Sequence, residues 1–250
     1  MEQENEHGVI RFAVDDEAIA LRICGTPQRL VYLHEIQDDG EAVWQQCLAL
    51  ECHDFALATI QIPTSKWNDA LTPWECAGLF ADDVPFAGQA SNQLELLVDE
   101  IIPQAERAMA PVLRSAAASA QNAAENSLPK PVRILAGYSL AGLFATWATF
   151  QCAAFSRIAS ASGSLWYPGF DEFAAEHDFV QKPECAYFSL GSKEARTPSR
   201  LLRHVAEGTA KVVSAFQEKG VETTFEKNPG NHFKEPDLRM AKGIAWALEH

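Results

Sequence analysis

The stretch Ile134-Leu-Ala-Gly-Tyr-Ser-Leu-Ala-Gly-Leu-Phe144, ILAGYSLAGLF, sets one serine between glycines in an otherwise apolar run. Residues 132–136 before the turn read as a buried strand, and residues 142–150 after it read as an apolar helix. A strand that passes directly into a helix through small residues has two readings. It is either a packing junction, since glycines serve tight turns wherever sheets meet helices, or a nucleophile elbow. The elbow is a strained turn that lifts a serine hydroxyl above the sheet and needs small neighbours because the helix starts close to the strand. GYSLAG departs from the usual GxSxG pattern, with Ala141 at the second glycine position and Gly142 one place later.

On both sides of this turn strands alternate with helices. Residues 9–14 and 18–24 alternate in polarity around Asp15-Asp16-Glu17, which predicts an antiparallel hairpin opening the domain. Residues 29–34 and 55–62 are apolar runs of strand length with a helix predicted over 41–50, the start of a βαβ series. Residues 63–90 hold no periodicity, and a loop of that length inside a compact domain is often functional. Leu94, Leu97, Val98, Ile101, Ala105, Ala108 and Val112 then follow helical spacing, with Asn92 and Glu95 placed as a capping pair and Pro103 expected to kink or divide the helix. The Ala-rich tract 115–127 either extends that helix or forms a surface insertion. Strands over 157–160, 186–190 and 221–226 and helices over 171–177, 201–219 and 237–248 complete the series. The pattern predicts one α/β domain over 1–250, a mostly parallel sheet covered by helices on both faces.

Composition narrows the function. The formal net charge is -14, and no basic cluster is dense enough to follow a phosphate backbone, which argues against nucleic-acid and anionic-membrane partners. The chain has no run of 18 apolar residues, and MEQENEHG lacks the basic-then-apolar order of a signal peptide, so a soluble, cytoplasmic protein is expected. The six cysteines are scattered without metal-ligand spacing; neither disulfides, metal nor cofactor are expected. Oligomeric state is left open.

A serine hydroxyl is a poor nucleophile, so Ser139 would need a base, an acid to orient the base, and donors where the oxyanion forms. The base belongs on a loop after the last strand, where Asn228-Pro-Gly-Asn-His232-Phe stands; His34, at the end of RLVYLH, is the rival. The acid belongs after the strand 186–190, where Glu194 is the immediate carboxylate, with Asp171 as the alternative. The order Ser, Glu, His is that of the α/β-hydrolases. The Leu140 amide heads the helix after the serine and would point at developing negative charge. Trp67, Trp74, Phe86, Trp166, Tyr167 and Phe170 lie in loops at the carboxyl ends of strands, and with Tyr138 beside the serine they are candidates to wall a substrate pocket.

These residues resemble the esterase D and enterochelin-esterase branch of the α/β-hydrolases. The likeness is carried by YLHE (32–35), WNDALTPW (67–74), DEIIP (99–103), GYSLAGLFA (137–145), SASGSLWYPGF (160–170), SLGSKE (189–194) and NPGNHFKEPDLRMAKGIAW (228–246). It implies an eight-stranded, mostly parallel sheet with an N-terminal antiparallel hairpin, and a serine hydrolase acting on a small-molecule carboxylic ester. It also implies Ser139 as nucleophile, His232 as base, Glu194 as acid and a second oxyanion donor at the amide near Ile36. Relatives that work with serine and histidine alone leave a dyad as the alternative. Acyl transfer to an alcohol by the same residues, and a non-catalytic ligand-binding member of the fold, are the other readings.

Overall fold

A computed structural model describes residues 3–6, 8–79, 84–119 and 130–250. Among them the strands are β1 (Gln3–Glu6), β2 (Val9–Val14), β3 (Glu17–Cys24), β4 (Arg29–Ile36), β5 (Phe55–Ile62), β6 (Val132–Tyr138), β7 (Arg157–Ala161), β8 (Cys185–Gly191) and β9 (Glu222–Asn228). They form one sheet in the order β1-β2-β3-β5-β4-β6-β7-β8-β9. The pairings from β5 through β9 are parallel, while β1, β2 and β3 join antiparallel and β3 lies antiparallel to β5. The eight expected strands are present, including the β2–β3 hairpin. β1 is a ninth at the edge, and its four polar residues QENE carry no strand signal of their own.

The helices are α1 (Glu41–Ala49), α2 (Thr64–Ala70), α3 (Ala90–Leu96), α4 (Ile102–Ser119), α5 (Leu140–Ala148), α6 (Phe170–Glu176), α7 (Val205–Glu218) and α8 (Pro236–Glu249). Side chains of a strand alternate between faces, and the central strand β4 shows the consequence. Leu30 and Tyr32 join the core under α5, α6 and α7, while Val31 and Leu33 join the core under α1 and α8. All nine residues of α5 are buried, as expected of a helix that is apolar all round.

Local departures have local causes. α2 escapes the sequence pattern because its seven residues span only about two turns. Asn92 and Glu95 form no cap, because α3 begins at Ala90 and Asn92 already lies inside it. The break expected at Pro103 is a widened π turn, Leu97–Ile101, which absorbs the loss of a backbone donor so that α4 can continue. α4 runs on to Ser119, so the start of the Ala-rich tract extends the helix; the rest of 115–127 lies outside the described residues.

Near the β2–β3 turn, Glu17 is 2% exposed and accepts a hydrogen bond from Gln93 Nε2 at 3.0 Å. Burial raises its pKa from 4.5 to about 7. The folded state therefore keeps a proton that the unfolded chain releases, and stability falls as pH rises from about 4.5 to about 7. Glu17→Gln, which fixes the neutral form, is expected to be more stable than the native chain at pH 8 by on the order of 2 kcal/mol and indistinguishable at acid pH. Urea melts of both proteins at the two pH values check this, and an equal difference at each would refute it.

Candidate active site

Four consecutive parallel strands end at the same edge of the sheet, and each delivers one piece of the site. β6 ends in the turn at Ser139, whose φ of 58° and ψ of −122° are costly for a residue with a Cβ, by about 1–3 kcal/mol. The surroundings over-determine that conformation. The Ser139 N–H donates to the Ala161 carbonyl at 3.2 Å, and its own carbonyl accepts from the amides of Gly142, Leu143 and Ser164 at 3.0, 3.1 and 2.9 Å. A Cβ on Gly137 would fall 2.2 Å from the carbonyl carbon of Ala141, so β6 and α5 approach this closely only through glycine. The methyl of Ala141 fits because Gly137 facing it has no side chain. The departure from GxSxG is thus accommodated at the other end of the same motif.

His232 lies after β9, and its Nε2 is 3.1 Å from Ser139 Oγ, while its Nδ1 is 2.8 Å from Glu194 Oε2. With the carboxylate accepting at Nδ1–H, the Nε2 lone pair faces the serine hydroxyl. Tyr138 donates its hydroxyl to the His232 carbonyl at 2.6 Å and packs its ring 5.2 Å from the imidazole. The side chain expected to meet substrate thus steadies the histidine loop instead. His34 does not reach the serine: it is fully buried against Phe144, and desolvation lowers its pKa to about 3. Asp171, the alternative acid, sits on α6 and is ion-paired to Lys211 at 2.9 Å.

Glu194 has partners that sequence reasoning did not find. Its Oε1 accepts from Ser162 Oγ at 2.8 Å, from the Gly191 amide at 2.6 Å and from Arg239 at 3.2 Å. The same Arg239 nitrogen donates to Tyr138 Oη and Ser162 Oγ, each at 3.3 Å, and its other terminal nitrogen donates to the Pro229 carbonyl at 2.9 Å. Arg239 is 2% exposed. Its sequence signal was an arginine in line with the buried Met240, Ala241 and Ile244 of α8, a place where a cation survives only with partners. Ser164, after β7, lies with its hydroxyl 3.4 Å from Ser139 Oγ.

A cavity of about 820 Å³ opens over Ser139 and His232. Trp67, Phe86 and Trp166 line it, together with Leu140, Lys193 and Arg196. Trp74 and Phe170 do not. Trp74 donates to the Pro168 carbonyl at 3.0 Å and packs on Phe170 and Phe173, and Phe170 is completely buried. Both staple loops to the domain, so they are corrected from pocket to core. The Leu140 amide heads α5, where no carbonyl of its own helix can bond it. Ile36 is the last residue of β4, next to β6; it is 42% exposed and does not line the cavity. Among the described residues no group of three or more His, Cys, Asp or Glu side chains is placed to hold a metal, and no helix is long and apolar enough to cross a membrane.

No family model matches this chain. The uncharacterized protein YbbA of Bacillus subtilis (strain 168) is 28% identical over 224 residues, 83% of this chain and 82% of that protein. Among solved structures, the siderophore hydrolase EstB of Aspergillus nidulans superposes with a TM-score of 0.64 at 16% identity, over 97% of this chain and 95% of its own. The enterobactin hydrolase IroE, in complex with DFP, superposes with a TM-score of 0.65 at 16% identity, over 97% and 94%. The chain has the α/β-hydrolase fold.

Within that α/β-hydrolase frame, Arg239 and Glu194 form a buried ion pair whose halves cannot be removed singly without leaving a bare charge. Arg239→Met is expected to cost about 3–5 kcal/mol of stability. Adding Glu194→Gln to it should recover much of that loss, because replacing both partners strands neither charge. Denaturant melts of the single and double variants test this; a double variant no more stable than Arg239→Met would refute the pairing.

Proposed function

We propose that the chain is a serine hydrolase that cleaves carboxylic esters of small molecules through an acyl-enzyme. The observation that carries this reading is the continuous line of hydrogen bonds from Ser139 Oγ to His232 Nε2 and from His232 Nδ1 to Glu194. In the proposed reaction His232 takes the hydroxyl proton as Ser139 Oγ attacks the ester carbonyl. The tetrahedral oxyanion is held by the Leu140 amide, and Glu194 stabilises the imidazolium. Collapse returns the proton from His232 to the departing alkoxide and leaves an acyl-Ser139 ester. A water then repeats the sequence, releasing the acid and restoring the serine. No cofactor enters these steps.

The solved structures of the same fold that are named siderophore, enterobactin and ferulic acid esterases or hydrolases agree with ester cleavage in general. Tyr138 and Trp67, both candidates for meeting substrate, take different parts: Trp67 meets substrate, Tyr138 orients the base. A reduced, cytoplasmic setting belongs to the same reading, in line with six unpaired cysteines, three of them buried.

A fluorophosphonate probe is expected to add one adduct, on Ser139, by intact mass and peptide mapping. Ser139→Ala and His232→Ala are each expected to lower kcat for a p-nitrophenyl ester by at least about 10³-fold, and Glu194→Gln by less. Because the base must be neutral, kcat/KM should rise with pH and then level off. An adduct that survives in Ser139→Ala, or a rate flat from acid to neutral pH, would overturn the assignment. Acid as the product, with no ester formed when an alcohol is added, separates hydrolysis from acyl transfer.

A further inference from the structure

The chain carries 34 acidic residues against 20 basic ones, so its average field repels anions. The segment KEARTPSRLLR, residues 193–203, runs against that average, with Lys193, Arg196, Arg200 and Arg203 against the single acid Glu194. That acid contributes no free charge, being enclosed by His232, Ser162, the Gly191 amide and Arg239. Two of the cations, Lys193 and Arg196, line the Ser139 cavity, and among the described residues that line it Glu194 is the one carboxylate. Several exposed cations elsewhere are neutralised locally: Lys66 by Asp16, Lys211 by Asp171 and Glu207, Lys242 by Glu226. Among the described residues, Lys193 and Arg196 have no such partner.

Their backbone is fixed by the turn that holds the site. The Lys193 amide donates to the Gly230 carbonyl at 2.9 Å, on the histidine loop, and the Arg196 amide donates to the Lys193 carbonyl at 3.0 Å. Much of the remaining lining is apolar. Trp67, Phe86 and Trp166 form the walls, and Val84 and Phe233, each 84% exposed, extend the greasy surface to the mouth. An apolar cavity with two uncommitted cations matches an amphiphilic ligand, not a plain neutral ester.

We propose that Lys193 and Arg196 form an anion subsite beside Ser139, and that the ester accepted there has an apolar aryl or alkyl body and a carboxylate or comparable oxyanion. This rests on the hydrolase reading of the same cleft. The cations then bind the substrate's charge, the aromatic walls its body, and the steering of anions is confined to the one edge of an acidic protein where the nucleophile lies.

The test uses matched esters differing in one charge. p-Nitrophenyl hydrogen glutarate is set against its methyl ester for a charge on the acyl side, and 4-carboxyphenyl hexanoate against 4-carbamoylphenyl hexanoate for a charge on the alcohol side. In one of the pairs the native protein is expected to favour the anionic member in kcat/KM by on the order of tenfold at low salt, a charge-assisted contact's worth, with the preference shrinking at about 0.5 M NaCl. Lys193→Ala/Arg196→Ala should abolish the ratio, Lys193→Glu/Arg196→Glu should invert it, and Lys193→Arg/Arg196→Lys should keep it. Both side chains are exposed, and thermal melts check that the variants fold. Equal rates within both pairs, or a preference that persists in the alanine and glutamate variants, would overturn the subsite while leaving hydrolysis intact. Cleavage of none of the four esters together with no fluorophosphonate adduct would overturn the hydrolase reading, and the subsite with it.

Discussion

An arginine side chain shut away from water stays charged only if the protein supplies what water did. Arg239 spends its donors on Tyr138, Ser162, Glu194 and Pro229, which belong to the segments leaving β6, β7, β8 and β9. One guanidinium therefore sets the spacing among four strand ends, including those that hold Ser139, Glu194 and His232. The guanidinium is in turn positioned by packing, because α8 is held against the sheet by Met240, Ala241, Ile244 and Ala247. The apolar face of a helix thus decides where a charge stands, and the charge decides where the polar groups of the site stand. A buried pair of this kind adds little net stability over an apolar substitute of the same shape; what it supplies is geometry.

The second constraint is steric. β6 and α5 meet so closely that Gly137 admits no Cβ, and Gly142 likewise has Ser160 Oγ and the Gly163 Cα within 3 Å of where its Cβ would lie. Ser160 answers by donating to the Gly142 carbonyl at 2.9 Å. The half-buried hydroxyl of Ser139 thus depends on small residues two strands deep, and the unfavourable backbone angles at the serine are maintained by neighbours that have no freedom to relax.

The sheet was readable because strands buried on both faces are continuous apolar runs, as in RLVYLH and FALATIQI, and because the helices between them keep their period. His232 was readable from position alone, following the last strand on a Pro-Gly turn. Glu194 was readable only by order along the chain; its enclosure by Ser162 and Arg239 depends on contacts 32 and 45 residues away in sequence. Trp67 and Trp74 show the limit. Both stand in one aperiodic segment, yet one faces the cavity and the other packs on Phe173. α2, which carries Trp67, is too short to show a period and Trp74 lies in the loop beyond it, so the pattern cannot tell the two directions apart; Trp74 is turned to the core by residues nearly a hundred positions later. Arg239 escaped for a related reason: helical spacing marks a position as inward-facing but does not say that the inward surroundings are polar.

The long reach of these contacts has a consequence in time. Ser139 Oγ and His232 Nε2 are joined across 93 residues, and synthesis proceeds from the N-terminus at about 5–20 residues per second, so His232 follows Ser139 out of the ribosome by roughly 5 to 20 s. Arg239 emerges after both. During that interval the growing chain displays Ser139 with no imidazole beside it and Glu194 with no fixed direction. The hydrogen-bonded line from Ser139 to Glu194 is thus complete only when α8 docks.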